Sequence, residues 1–152
     1  MMRVKLFPIW LMIVLISACT TEKDCDHTDC YVDTKALKIA LLNMDSGENM
    51  VSNGSIDTSG IYIMNADFIN VDFIFSKDLE AFEIPDITSI AGTQLYQMFY
   101  NDELLMSFRL KVEEEVVDCC SQYQLKSFSV SNWQYDFSQG NYLAQVYISI
   151  EE

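Results

Sequence analysis

The sequence of residues 95–112 is LYQMFYNDELLMSFRLKV, and it carries the clearest structural signal in the chain. Asn101 and Asp102 stand at its centre, and both residue types tolerate the left-handed backbone that a tight turn requires. Leu105 breaks an otherwise regular alternation of apolar and polar residues along the second arm. The alternating apolar residues are Leu104, Met106, Phe108, Leu110 and Val112. This period of two predicts a β-hairpin with one buried face.

The rest of the domain shows the same kind of pattern. Leu37, Ile39 and Leu41 alternate before a turn at Asp45–Asn49, and Pro85 within residues 83–87 indicates an edge strand or a crossover. No stretch has the 3.6-residue period of an amphipathic helix. The other predicted strands are residues 61–64, 71–75, 122–130 and 142–150. About seven strands separated by turns predict an all-β fold, a two-sheet antiparallel sandwich over residues 35–152.

Composition sets limits on function. The chain has 152 residues, of which 50% are hydrophobic and 21% charged, which suits one domain with a packed core. Nine Lys and Arg against 23 Asp and Glu give a net charge of −14, so we expect no nucleic-acid partner, because phosphate binding needs clustered basic residues.

The first eighteen residues differ from the rest. Arg3 and Lys5 precede an apolar run over residues 6–16, and Ser17 and Ala18 follow it. At 1.5 Å per residue this run is too short to cross about 30 Å of hydrocarbon. The pattern predicts a signal peptide over residues 1–18 rather than a membrane-spanning helix; the alternative is a buried N-terminal helix.

Residues 15–19, Leu-Ile-Ser-Ala-Cys, resemble the lipobox of bacterial lipoproteins. Small side chains give a signal peptidase access to the bond before Cys19, and the thiol receives diacylglycerol. The resemblance implies that Cys19 is the lipidated first residue of the mature protein, and more than one acyl chain on one residue makes a stable membrane anchor.

Residues 19–34 form a predicted acidic tether. The resemblance favours the outer membrane, because Thr20 stands where an Asp would retain a lipoprotein in the inner membrane. Glu22, Lys23, Asp24 and Asp26 resemble the acidic tether with which Bacteroidota export lipoproteins to the cell surface; the alternative is a flexible tether with no role in export. Without the signal peptide, the chain keeps seven basic residues and all 23 acidic residues, which gives a net charge of −16.

Four cysteines remain besides Cys19. Their even number in an exported domain predicts disulfides, and sequence alone does not separate the three connectivities. We favour Cys25 and Cys30 crossing to Cys119 and Cys120; the alternative is a local Cys25–Cys30 bridge. Residues 24–30 also contain zinc ligand types, but they lack the usual paired spacing, and a disulfide is favoured over a metal there.

The domain resembles small lipoproteins of Bacteroidota in two further places. These are residues 38–50, a strand followed by Asp-Ser-Gly-Glu-Asn, and residues 118–120, Asp-Cys-Cys before a strand and a loop with Trp and Tyr. The resemblance implies an immunoglobulin-like or transthyretin-like sandwich. It implies no catalytic residue.

Nothing in the sequence predicts a cofactor, a metal or catalysis. The single histidine, His27, lies in the tether, away from any rigid nucleophile. There is no phosphate-binding glycine-rich loop, and a calcium site at Asp45, Glu48 and Asn49 is less favoured than an ordinary turn. Glu113–Glu115 is interpreted as a solvated loop or strand end.

Aromatic residues give the only indication of ligand binding. Trp133, Tyr135 and Tyr142 lie close together in sequence among amide residues, a combination that recognises sugars or peptides. The alternative is that the rings belong to the core. We therefore expect a non-enzymatic, lipid-anchored binding or accessory protein; the alternatives are a glycan-binding module of an uptake system and, less favoured, a carboxylate hydrolase.

Overall fold

The computed structural model describes residues 35–117 and 119–149 of the chain. They form nine strands and one short 3-10 turn at Thr58–Gly60. The strands are β1 Leu37–Asn43, β2 Ile61–Asn65, β3 Ile74–Ser76, β4 Ala81–Ile84, β5 Gly92–Tyr100, β6 Glu103–Val117, β7 Cys120–Val130, β8 Gln134–Ser138 and β9 Leu143–Ile148.

Two sheets share these strands. One has the order β3-β4-β1-β9-β8 and the other β2-β5-β6-β7. Residues from both sheets, among them Ile39, Ile63 and Phe108, belong to one buried apolar cluster. The predicted two-sheet sandwich is therefore confirmed. Its pairings are antiparallel except for β1 with β9, which run parallel from Lys38 opposite Leu143 to Asn43 opposite Ile148.

The predicted hairpin is β5 with β6, and its turn lies where the sequence indicates. Asn101 and Asp102 have positive φ angles of 49° and 68°. A bulge shifts the register, so that Met98 pairs with Met106 but Phe99 pairs with Leu104. Leu105 is the inserted residue and packs against the core, which explains the break in the alternation. Leu104, predicted to face the core, is instead 53% exposed.

The structure decides one alternative and adds one strand. Of the two interpretations of Pro85, the crossover is correct and the edge strand is not: β4 ends at Ile84 between β3 and β1, and Pro85 begins the connection to β5 in the other sheet. The segment before the last strand contains a strand of its own, β8, which pairs with β9. Ile150 lies outside the described residues.

The β6–β7 hairpin continues past the rest of its sheet. β5 begins at Gly92, opposite Val112, so residues 113–117 of β6 pair only with residues 120–124 of β7. We call these two segments the β6–β7 extension. Glu113–Glu115 belong to it and are exposed, as a strand end rather than a loop.

The sandwich has two distinct ends. At one of them, the Lys35 end, the backbone N–H of Lys35 donates to Thr88 Oγ1 at 3.4 Å, and the Leu125 N–H donates to the Tyr142 hydroxyl at 3.4 Å. The β6–β7 extension lies at this end. At the other, the Asp102 end, the β5–β6 turn meets the 3-10 turn, where the Asn101 N–H donates to the Gly60 carbonyl at 3.0 Å.

Candidate functional site

The three aromatic residues predicted to bind a ligand do not form one site. Trp133 and Tyr135 lie near the Asp102 end, where β8 begins, whereas Tyr142 lies just before β9 at the Lys35 end. β8, Gln134–Ser138, begins beside Trp133 at the first position and leads toward Tyr142 at the second. Residues that are close in sequence are thus separated by the length of a strand.

Trp133 has a structural role. Its indole N–H donates to the Leu105 carbonyl at 2.8 Å, which ties the β7–β8 connection to β6. The ring is partly buried against the core. A buried indole normally finds a hydrogen-bond partner of this kind, so the contact explains the residue without a ligand.

Tyr135 is the most accessible of the three rings, with 37% of its surface exposed. It packs edge-on against Phe128, with ring centroids 5.6 Å apart. Phe128 also stacks on Phe137 at 5.3 Å. Tyr135 therefore extends an aromatic cluster between the two sheets and remains partly exposed to solvent.

Tyr142 is a core residue rather than a ligand platform. It is 6% exposed, belongs to the buried apolar cluster and has a positive φ of 52°. Its hydroxyl accepts from the Leu125 N–H, and the Lys35 ammonium lies 5.4 Å from the centre of its ring.

Tyr142 nevertheless lines one cleft, of about 400 Å³, at the Lys35 end. The lining is polar, and it includes the amides of Gln122, Gln124 and Gln139. The Gln139 side chain donates to the Leu125 carbonyl at 3.1 Å, and Lys126 donates to Gln124 Oε1 at 2.8 Å. The remaining lining residues are Lys35, Tyr123 and Gly140. The sequence predicted a binding segment that contains Gln139 and Tyr142, but it predicted residues 122–124 only as part of a strand. The Gln-Tyr-Gln pattern of residues 122–124 is the signal that could have indicated their place in a polar cleft.

A second cleft, of about 370 Å³, lies at the Asp102 end. Its lining residues are Val51, Ser52, Thr58, Phe75 and Lys77. An aromatic ring, two hydroxyls and an ammonium suit a small polar ligand or a peptide side chain. Nothing in the sequence indicated that these residues lie together, because they come from the β1–β2 connection, the β3–β4 turn and β3.

The predicted turn at Asp45–Asn49 is held by its own side chains. Asn43 Oδ1 accepts from the Asp45 and Ser46 N–H groups at 2.9 Å, and the Asn49 amide donates to the Glu80 carbonyl at 2.7 Å. Across residues 35–117 and 119–149, no three His, Cys, Asp or Glu side chains come together in a way that could hold a metal ion.

Two carboxylates have lowered pKa values. Backbone and side-chain hydrogen bonds from Ser59 lower the pKa of Asp57, and the hydrogen bond and charge of Lys111, 2.6 Å away, lower that of Glu113. A general acid needs the opposite shift, since it must stay protonated near neutral pH. Neither carboxylate has the environment of a catalytic acid.

The cysteines were predicted to form disulfides. Cys119 and Cys120 are disulfide-bonded and do not titrate as thiols. Cys25 and Cys30, as well as the predicted lipid attachment point Cys19, lie outside the described residues. The favoured connectivity therefore stays a prediction.

Comparison with known proteins gives no further assignment. No family model matches the chain, and neither the curated proteins nor the solved structures contain a significant match. Within the described ranges, no helix is long and apolar enough to cross a bilayer.

Proposed function

We propose that this chain is a lipid-anchored β-sandwich lipoprotein of the outer membrane, exposed at the cell surface, that binds a partner without catalysing a reaction. The observation that carries the proposal is the lipobox-like sequence at residues 15–19 after a basic segment and an eleven-residue apolar run. The sandwich of the described residues supports it, because its connections present clefts on a rigid scaffold of strands.

Lipidation is tested by labelling cells with a clickable palmitate analogue. We expect the wild-type chain to take up the label and to sediment with membranes, and Cys19→Ser to lose both properties. Cys30→Ser is the matched control, because it also replaces one cysteine of the same region and should keep the label. Label on Cys19→Ser would contradict lipidation at this residue. Protease treatment of intact cells tests surface exposure.

We further propose that Cys25 and Cys30 are the partners of Cys119 and Cys120. Each bond would form when two thiols lose two protons and two electrons to a disulfide oxidant of the cell envelope. Peptide mapping of the non-reduced protein by mass spectrometry tests this: we expect peptides from residues 20–34 linked to those containing Cys119 and Cys120. A Cys25–Cys30 bridge would contradict it.

A glycan-binding role is the second candidate, and the polar cleft at the Lys35 end favours it. Amides beside phenol rings are suited to the hydroxyl groups and apolar faces of sugars. The test is a glycan array probed with residues 19–152 carrying Cys19→Ser. Tyr123→Ala and Gln122→Ala should abolish any binding at this cleft, and Tyr135→Ala should preserve it. Loss of binding with Tyr135→Ala alone would move the site to the other end.

A further inference from the structure

The most exposed large apolar side chains of the described residues share one end of the sandwich. Five such side chains are at least 60% exposed: Phe68 75%, Ile69 60%, Ile74 63%, Ile90 67% and Val116 68%. Ile74 lies level with Lys38 near the start of β1, Ile90 precedes β5, and Val116 lies in the β6–β7 extension. All are at the Lys35 end. Clustering of exposed apolar surface at one end marks an interaction surface.

The turn after β2 holds Phe68 outward. Asn65 Oδ1 accepts from the Asp67 N–H at 3.0 Å and from the Ile69 N–H at 2.9 Å. Phe68 itself has a φ of 60°, a conformation that bulky residues rarely adopt. The neighbouring Ala66 and Asp67 line a shallow groove of about 240 Å³ together with Ile90 and Leu95. We call Phe68, Ile69, Ile90 and Leu95 the Phe68 patch.

Charge is also divided unevenly between the two ends. In the described residues, the Asp102 end has one basic side chain, Lys77, and seven carboxylates. These are Asp45, Glu48, Asp57, Asp78, Glu80, Asp102 and Glu103. The Lys35 end has four lysines, Lys35, Lys38, Lys111 and Lys126, and seven carboxylates, Asp67, Asp72, Glu83, Asp86, Glu113, Glu114 and Glu115. An anionic surface would therefore repel the Asp102 end more strongly than the Lys35 end.

The chain also reaches the sandwich at the Lys35 end. Lys35 is sixteen residues after Cys19, a stretch that spans at most about 55 Å when fully extended. If Cys19 carries the lipid, as proposed above, the anchor is attached to the end that has the exposed apolar residues. The tether by itself does not fix the orientation of the domain, so the surface chemistry of the two ends decides it.

We infer that the Lys35 end faces the bilayer and that the Phe68 patch contacts the interfacial region of the lipid. Aromatic and aliphatic side chains at such a surface gain by burial at the boundary between headgroups and acyl chains. The Asp102 end, with the cleft lined by Val51, Phe75 and Lys77, then points away from the membrane toward a partner. This inference rests on the proposed function for its anchor.

Tryptophan fluorescence tests the orientation, since Trp133 is the single tryptophan of residues 19–152. Phe68→Trp adds a probe at the patch, and Leu104→Trp is the matched control at the Asp102 end. Each lipidated variant is reconstituted in phosphatidylcholine vesicles with ordinary or brominated acyl chains, and the signal of the parent is subtracted. We expect brominated lipid to quench the Phe68→Trp probe on the order of twofold, because the patch reaches the boundary where the acyl chains begin, and to leave the Leu104→Trp probe unchanged.

Equal quenching of the two probes, no quenching of either, or quenching at Leu104→Trp alone would overturn the inference. A second experiment distinguishes a wrong orientation from an absence of lipidation. There, residues 19–152 with Cys19→Ser and an N-terminal hexahistidine tag are held on vesicles by a nickel-chelating lipid. If the protein isolated from its own membranes carries no lipid, the proposed function is refuted. The tagged protein reports which end contacts the bilayer whether or not Cys19 is lipidated.

Discussion

At the scale of single residues, backbone conformation explains why Asn101 and Asp102 occupy the β5–β6 turn. Both have positive φ angles, which cost most residues with a Cβ of order 1 kcal/mol and which Asn and Asp tolerate better. Asp102 also accepts a hydrogen bond from the Tyr62 hydroxyl at 3.4 Å. This turn was predictable from sequence because its requirement is local.

Two substitutions at Asp102 separate these contributions. Asp102→Gly and Asp102→Ala both remove the carboxylate, but only glycine adopts a φ of 68° without strain. We expect the glycine variant to be more stable than the alanine variant by about 1 kcal/mol. Chemical denaturation monitored by circular dichroism measures the difference. Equal stabilities would mean that the turn relaxes out of the left-handed region.

Trp133 allows a second prediction at this scale. Trp133→Phe keeps an aromatic ring but removes the donor that satisfies the Leu105 carbonyl. We expect a loss of about 1 kcal/mol in the free energy of unfolding, the usual net value of one such hydrogen bond. The measurement is a urea titration of both proteins. If Trp133 instead serves a ligand, stability would stay unchanged while ligand binding falls.

At the scale of strands, the β7–β8 contact shows how the two sheets are joined. Phe128 of β7 is 4% exposed and contacts Phe108 within its own sheet. Across the sandwich it stacks on Phe137 and meets Tyr135 edge-on. One ring thus connects β6 and β7 to β8, an edge strand with little burial of its own.

Phe128→Ala should therefore destabilise the domain strongly. Removing a buried phenylalanine costs about 3–5 kcal/mol through lost burial and the cavity that remains. Phe68→Ala is the control, because that ring is 75% exposed and its removal should change stability by less than about 0.5 kcal/mol. Thermal unfolding of both variants tests this pair. Similar losses in the two variants would contradict the assignment of Phe128 to the core and Phe68 to the surface.

The strands also show what sequence could predict and what it could not. Leu37, Ile39 and Leu41 alternate and are all buried, as expected for a strand between two neighbours. β8 was not predicted, because four of its five residues are exposed and its sequence shows only a weak alternation of apolar and polar residues. The outward position of Leu104 depends on the bulge at Leu105, which follows from pairing with β5 rather than from the local pattern.

At the scale of the whole molecule, tertiary placement decides which residues share a site. Trp133, Tyr135 and Tyr142 are near in sequence, but β8 carries the chain about 17 Å from one end of the sandwich toward the other. The cleft at the Asp102 end brings Val51 and Thr58 of the β1–β2 connection next to Lys77 of the β3–β4 turn. Periodicity predicts which face of a strand is buried, but not which loops meet, because loop positions follow from the order of strands in the sheets.

The stability of the whole domain should fall in alkaline solution, and Tyr96 provides a test. Its ring is stacked on Phe108 at 5.2 Å, its hydroxyl donates to Gln94, and burial raises the pKa of the phenol above the ordinary value of 10.0. Below that value the phenol is protonated in both the folded and the unfolded chain, and the stability that the buried neutral phenol contributes is fully present. Above it the unfolded chain ionises first, so the free energy of unfolding decreases as pH rises toward the pKa of the folded state.

We therefore expect Tyr96→Phe to reduce the slope of stability against pH above pH 10, although the loss of the hydrogen bond to Gln94 lowers stability at neutral pH. A smaller slope should remain, because desolvation and then the charge of Asp102 raise the pKa of Tyr62, and the hydrogen bond to Asp136 raises the pKa of Tyr147. Urea unfolding at a series of pH values measures it. An identical slope in both proteins would show that Tyr96 ionises equally in the folded and unfolded chains, and that its burial does not couple the core to pH.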